Sequence, residues 1–201
     1  MRTLVHLKTG PKQPTKEEGA KIFAGHFENM GRLAREGHLL LAGPYGKTKH
    51  DPDLRGVFVL ATADRATATK LAETDPAVQA GVFVLEYHTF ATNAPLERYL
   101  ARELAIEDQA TREGKKLAPG EGGRSYVMLT AENGDAAMSV LAGHPGVLLL
   151  GRLDGSKALA LLDAKETKDV PTLLGPALDR LGNHVLDGWF GGGQIAKLRE
   201  L

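Results

Sequence analysis

The sequence contains no cysteine, and this absence removes several kinds of chemistry at once. Without thiols there is no disulfide framework, no thiolate nucleophile and no cysteine-ligated metal site. One-sided charge is absent too, because 25 Lys and Arg residues balance 25 Asp and Glu residues. A balanced chain has no overall field that would attract nucleic acid or an anionic membrane. We therefore expect neither as a partner.

Long apolar runs are also missing. The run at residues 147–150 is far shorter than the roughly 20 residues that cross a bilayer. Residues 1–14 lack the apolar core and small-residue cleavage site of a secretory signal. Aromatic residues make up only 5% of the chain, and no strand interleaves them with basic residues as RNA-binding sheets do. We expect a soluble cytoplasmic protein.

The hydrophobic pattern of the first half predicts the element order β-α-β-β-α-β. Alternating or continuous apolar residues predict four strands, and apolar residues at helical spacing predict two helices. The strands fall at residues 3–8, 38–42, 56–61 and 82–90, and the helices at 16–36 and 63–74. Pro76 disfavours helical geometry at Asp75, so the second helix breaks there. This order is the split βαβ, or ferredoxin-like, plan.

The second half repeats that order. Strands are predicted at 126–131, 147–150, 158–162 and 184–190, and helices at 135–143 and 170–181. Two short stretches are alike in both halves: LLLAG at 39–43 with LLLG at 148–151, and DPAVQAG at 75–81 with GPALDRLG at 175–182. We predict an α+β protein with domains at 1–94 and 124–201, joined by a helical and flexible linker at 95–123.

Four motifs in the first half resemble the YCII-related family. They are GHFENMGRLAREG at 25–37, LLLAGP at 39–44, LRGVFVL at 54–60 and TDPAVQAG at 74–81. The resemblance covers residues 3–91, and the second half keeps the outline without these motifs. It implies a dimeric α+β barrel, in which two four-stranded sheets pack face to face. A tandem chain would build this barrel as an intrachain pseudo-dimer, and a homodimer is the other arrangement to consider.

The resemblance also implies a reaction centre. One branch of the family is a dehydrochlorinase that acts on a chlorinated hydroxyquinol, and a helix histidine with an aspartate is the family's suspected catalytic pair. The matching residues here are His26 and Asp75. Histidine exchanges protons near neutral pH, and a carboxylate can orient it. The alternative is a half-exposed His26 beside an Asp75 that only caps a helix.

Three residues between the second and third predicted strands are candidates for substrate binding. Pro44 and Tyr45 begin a long loop that could line the mouth of a pocket, and Arg55 carries a charge suited to an anionic group. A surface turn is the alternative for Tyr45. Substrate-binding roles for these residues are hypotheses.

We expect no metal and no cofactor. His6 and His88 lie on strands that are neighbours in the ferredoxin-like order, and His26 could join them, but no two share a short ligand spacing. Packed or hydrogen-bonded histidines are the favoured interpretation. The glycines at 191–193 lack the features of a phosphate-binding loop and predict a turn before a short tail.

The two halves differ where the chemistry would lie. Gly175 stands in the place of Asp75, and the shortened first helix puts the His26 position near Asp135. The second half is therefore predicted to be scaffold. The leading hypothesis is a small-molecule enzyme for proton abstraction, elimination or isomerisation, of lyase or isomerase type. The alternative is a non-catalytic ligand-binding or accessory barrel.

Overall fold

The structure, a computed structural model, describes residues 1–201 and contains the repeated element order. The strands are β1 (Arg2–Thr9), β2 (Leu39–Pro44), β3 (Leu54–Leu60), β4 (Phe83–Thr92), β5 (Arg124–Ala131), β6 (Val147–Leu153), β7 (Lys157–Leu162) and β8 (His184–Gly191). The α-helices are α1 (Lys16–Arg35), α2 (Arg65–Ala72), α3 (Pro76–Gln79), α4 (Leu96–Arg112), α5 (Gly134–Leu141), α6 (Val170–Leu174) and α7 (Pro176–Asp179). Two 3₁₀ helices cover Thr167–Asp169 and Gly193–Glu200. None of these helices combines the length and the apolar composition that a membrane-spanning helix needs.

All eight strands belong to one antiparallel sheet in the order β2-β3-β1-β4-β6-β7-β5-β8. Each half supplies four consecutive strands in the ferredoxin-like order, and β4 pairs with β6 where the halves meet. The two outer strands, β2 and β8, also meet, because Tyr45 forms a bridge with Trp189. The sheet is therefore a nearly closed barrel built within one chain. The predicted fold class is confirmed.

Two seams join the halves, and each is held by a histidine–aspartate contact. At the first seam, between β4 and β6, Nδ1 of His88 lies 2.6 Å from a carboxylate oxygen of Asp154. At the second, where β8 meets β2 and the loop after it, Nδ1 of His50 lies 2.9 Å from Asp187. In both cases a backbone N–H donates to the same carboxylate. The aspartate comes from the second half at both seams.

Three apolar clusters fill the molecule. The largest, of 18 buried residues, occupies the barrel interior and draws on both halves, so the barrel is a packed core. Two smaller clusters lie between each half-sheet and its own helices. Leu96 and Tyr99 of α4, with Ile195 and Leu198 of the last 3₁₀ helix, close one end of the barrel.

Strand β1 has one face toward the barrel interior and the other toward the helices of the first half. Successive side chains point to opposite faces. Leu4 packs in the barrel cluster, whereas Val5 and Leu7 pack against the helices of the first half. His6 accordingly points into the barrel, and Leu7 points toward α1.

Some helix boundaries differ from the sequence prediction. The helix predicted at 63–74 ends at Ala72, and Asp75 then caps the separate one-turn helix α3. The helix predicted at 170–181 is divided at Gly175, whose φ of +51° lies in the left-handed region. The predicted tail forms the last 3₁₀ helix because its Ile195 and Leu198 are buried in the barrel core.

Candidate active site

Helix α1 holds His26 against the first half-sheet. A capping box starts the helix: Glu18 N–H donates to the Thr15 hydroxyl at 3.3 Å, and Thr15 N–H donates to the Glu18 carboxylate at 2.9 Å. The apolar face of the helix packs against the sheet, and Leu33 on this face is fully buried. His26 shares this face and is only 8% exposed. A buried histidine needs a partner, and α3 supplies it.

Asp75 is that partner. It is completely buried and has two contacts: Ala77 N–H donates to Oδ1 at 2.8 Å, and Nδ1 of His26 lies 2.6 Å from Oδ2. With the carboxylate as acceptor, Nδ1 carries the proton and Nε2 presents a lone pair. Nothing in the protein hydrogen-bonds to Nε2 of His26. The predicted pair is therefore brought together, and the expected capping role of Asp75 exists alongside it.

Aromatic rings enclose the imidazole. Phe58 stacks on His26 with ring centroids 6.0 Å apart and an interplanar angle of 17°. Phe23, Phe27 and Phe83 meet it edge to face at centroid distances of 5.3–6.1 Å. These rings fix the plane of the imidazole and exclude water from its sides.

A cleft of about 410 Å³ opens on this imidazole between α1 and the sheet. Its walls are mostly apolar, and they include Phe23, Phe58 and Phe83. Two cationic side chains, Lys12 and Arg55, stand among the lining residues. Lys12 lies 3.6 Å from Glu18, whereas Arg55 is exposed and has no carboxylate within ion-pair distance; its Nε donates to the Thr9 hydroxyl at 2.8 Å.

The three predicted substrate-binding residues are not all at this cleft. Pro44 and Arg55 line it. Tyr45 does not: its hydroxyl hydrogen-bonds with Nε2 of His6 at 3.1 Å, and its ring packs against the barrel cluster. Burial, with a smaller effect of the nearby Asp187 carboxylate, raises the pKa of Tyr45. The role predicted for Tyr45 therefore has no support from the geometry of the cleft.

The second half has no matching pair. Gly175 has no side chain to present to α5, which is 8 residues long against 20 for α1. Asp135 is largely exposed and forms an ion pair with Arg152. The asymmetry predicted from the sequence is therefore present in the structure. The second half lacks a carboxylate at the position of Asp75, and α5 is shorter than α1.

Polar residues at the open end of the barrel were not predicted as a group. His6, Glu86 and His88 point into this end, near the His50–Asp187 pair. In the two histidine–aspartate pairs at the seams, the partners are 66 and 137 residues apart in the sequence. No short sequence motif therefore indicates that they meet. Because side chains alternate between the two faces of a strand, the positions of His6 on β1 and of Glu86 and His88 on β4 could have shown that they share a face.

Residues 1–91 match the family model described as "YCII-related domain", which confirms the resemblance predicted for this half. No curated protein matches the chain. Among solved structures, the crystal structure of the siroheme decarboxylase NirDL is similar with a TM-score of 0.51 and 12% identity, over 95% of this chain and 71% of that chain. The crystal structure of the same decarboxylase in co-complex with an iron-uroporphyrin III analogue has a TM-score of 0.48 and 13% identity, over 95% and 70%. At 12% identity the first similarity shows the fold alone.

Proposed function

We propose that this chain, whose residues 1–91 form a YCII-related domain, is an enzyme that moves a proton on a small organic anion. The reaction class is proton abstraction leading to isomerisation or elimination. The observation that carries the proposal is the 2.6 Å contact between Nδ1 of His26 and the fully buried Asp75, with His26 lining an apolar cleft.

His26 acts through Nε2 in this proposal. Asp75 accepts the Nδ1 proton and so fixes the tautomer in which Nε2 has a free lone pair. Nε2 takes a proton from the substrate, and the imidazolium that forms is stabilised by the Asp75 carboxylate. In an isomerisation the same proton returns at a second substrate atom. In an elimination the leaving group departs with its bonding pair while the proton stays on Nε2 until solvent removes it.

The cleft supports a planar substrate with one negative group. Phenylalanine rings form much of the wall, and they favour a flat apolar body. Arg55 is the cation at the cleft without an acidic partner, and its guanidinium suits a carboxylate or phenolate. Substrate-binding roles for Arg55 and for Pro44, which lines the same cleft, are parts of the proposal.

The test uses small ring carboxylates and phenols, including chlorinated hydroxyquinols, with wild-type chain in D₂O. Binding is screened by ligand-observed NMR, and deuterium incorporation or loss of the leaving group is then followed for each binder. We expect His26→Gln to slow exchange at least about 100-fold, because a positioned base contributes roughly 10²–10⁴. Arg55→Ala should weaken binding more than it slows the bound reaction.

The exposed His38 offers a matched control, since His38→Gln makes the same change far from the described contacts of the cleft. Its exchange rate should equal that of the wild type. An undiminished rate in a folded His26→Gln variant would refute the assigned base. Saturable binding without exchange or turnover for any compound would instead support the non-catalytic ligand-binding barrel.

A further inference from the structure

A second cluster of side chains lies on the opposite face of the same half-sheet from the cleft. His6 of β1 and Glu86 and His88 of β4 point into the open end of the barrel. In the β1–β4 ladder His6 is opposite Glu86, and His88 lies two residues further along the same face. The candidate ligand atoms of the three side chains all lie within 4.8 Å of one another.

His88 is oriented by a group outside the cluster. Its Nδ1 lies 2.6 Å from the Asp154 carboxylate across the first seam, so Nδ1 carries the proton and donates it to Asp154. Its Nε2 is buried and makes no hydrogen bond. Yet this atom is 3.4 Å from Oε1 of Glu86. A lone pair therefore faces a carboxylate oxygen, an arrangement that a cation between them would stabilise.

That separation already suits a metal ion. Bonds of about 2.0–2.1 Å in a tetrahedral site put neighbouring ligand atoms roughly 3.3–3.4 Å apart. The distance between Glu86 Oε1 and His88 Nε2 is 3.4 Å. A histidine that ligates a metal commonly donates its other N–H to a carboxylate, which is what His88 does with Asp154.

His6 is suited to be the third ligand. Its imidazole lies beside that of His88, with ring centroids 5.0 Å apart, and it is opposite Glu86 in the β1–β4 ladder. A neutral imidazole has the lone pair that a metal needs. The Tyr45 hydroxyl at 3.1 Å from Nε2 can donate or accept, so it tolerates either tautomer of His6.

A cation of the protein, Lys8, also contacts Glu86. Lys8 lies 3.3 Å from Oε2 of Glu86 and 2.9 Å from Asp51. It therefore engages the outer oxygen of Glu86, whereas Oε1 is the oxygen that faces His88.

We propose that His6, Glu86 and His88 bind one divalent first-row transition-metal ion, of which Zn²⁺ is the reference. Asp154 is a positioning residue that orients His88. Two imidazoles and one carboxylate are ligands that Zn²⁺ accepts, with a fourth position left for water or a ligand, whereas Mg²⁺ prefers oxygen atoms. This replaces the expectation of no metal site: His26 takes no part, and the acidic member is Glu86. The inference does not rest on the proposed function.

The test is calorimetric titration of the chelator-treated full chain with Zn²⁺, followed by titration with Mg²⁺. We expect one Zn²⁺ per chain and no saturable binding of Mg²⁺. Glu86→Gln and His88→Gln should each weaken Zn²⁺ binding at least about tenfold, and Asp154→Asn should weaken it by about 10- to 100-fold. His38→Gln is the matched control, and His26→Gln should also leave the affinity unchanged, which separates this site from the cleft.

A measurement on the wild-type chain covers the case in which a variant fails to fold. Added Co²⁺ should shift or broaden the ring resonances of His6 and His88 at one equivalent, and leave those of His38 unchanged. Absence of stoichiometric Zn²⁺ binding would overturn the proposal. So would a Zn²⁺ affinity that is unchanged in folded Glu86→Gln and His88→Gln, or a Co²⁺ effect centred on other histidines.

Discussion

Histidines on the two faces of the first half-sheet have opposite surroundings. His26 faces the helices and meets a buried carboxylate at 2.6 Å. His6 faces the barrel, where its ring centroid lies 5.0 Å from that of His88. On one face of the sheet, a histidine therefore has a carboxylate partner. On the other face, burial lowers the pKa of a histidine, so that it binds a proton less readily. The environment of His6 has a direct consequence for stability as a function of pH.

His6 makes the fold sensitive to acid. Burial is the largest cause of its lowered pKa; His88, Lys8 and His50 lower it further, and Glu86 opposes them. The unfolded chain takes up a proton on His6 near pH 6.5, whereas the folded chain does so only near pH 4. This part of the stability is complete above pH 6.5 and is lost as the pH falls toward 4. The loss amounts to about 3 kcal/mol.

Urea unfolding at pH 7, 5.5 and 4.5, in the presence of chelator, measures this effect. His6→Gln should flatten the dependence of the unfolding free energy on pH relative to wild type, whatever its stability at pH 7. Equal slopes for the two proteins between pH 7 and 4.5 would contradict the lowered pKa of His6 in the folded chain.

At the scale of single residues, the sequence predicted the contact between His26 and Asp75 better than it predicted the contacts at the barrel end. Asp75 stands before Pro76, a local sign of a helix cap, and the family motif connected it with His26 over 49 residues. No comparable sequence feature indicated which residues Tyr45 would contact. Whether a residue at a strand end turns toward the helices or into the barrel depends on the local bulge and on which strand closes the sheet.

Two glycines shape the seams at the scale of elements. Gly43 of β2 lies against Trp189, and Gly151 of β6 lies against Phe90. A Cβ on Gly43 would approach the Trp189 ring to 2.6 Å, and one on Gly151 would approach the Ala91 carbonyl oxygen to 2.8 Å. These glycines end the matching LLLAG and LLLG stretches. The stretches thus mark the places where an aromatic ring of the other half crosses a strand.

Substituting either glycine should open a seam. We expect Gly43→Ala and Gly151→Ala each to lower the free energy of unfolding by about 2–3 kcal/mol, because backbone or a ring must move. Gly31→Ala is the control: it lies within α1, its nearest contact would be Arg35 at 3.6 Å, and it should stabilise by about 0.5–1 kcal/mol. Urea denaturation of the three variants decides; seam variants as stable as wild type would contradict this account of the seams.

Helix ends were predicted less well than strands. The order of elements followed from apolar periodicity, since each strand has a buried face. The division of the helix at Gly175 and the burial of residues 193–200 depend on contacts with the barrel, which no local pattern shows.

The whole molecule is a pseudo-dimer with unequal halves. Both seams lie inside one chain, because β4 pairs with β6 and Tyr45 forms a bridge with Trp189 where β2 meets β8. We therefore expect a monomer. Light scattering after size exclusion should give a mass near 21.5 kDa at micromolar concentration. Twice that mass would contradict this expectation and indicate the homodimer that the sequence alone also allowed.

The proposed active site depends on a difference between the two halves. The first half keeps a long helix with His26 and a capping carboxylate; the second half has lost both and closes the barrel. The duplication could be read from repeated order and matched stretches. The arrangement of the two sheets came from the family resemblance, because strand order alone does not say whether they meet within one chain.

The most direct measurement is the tautomer of the His26 ring, read from long-range ¹H–¹⁵N NMR of the labelled full chain at alkaline pH. We predict a proton on Nδ1, held by Asp75, and a free lone pair on Nε2 at the cleft. Asp75→Asn should change this tautomer balance, because an amide can also donate to the ring. A wild-type ring protonated on Nε2 would contradict the account, since His26 could not then accept a proton from a ligand in the cleft.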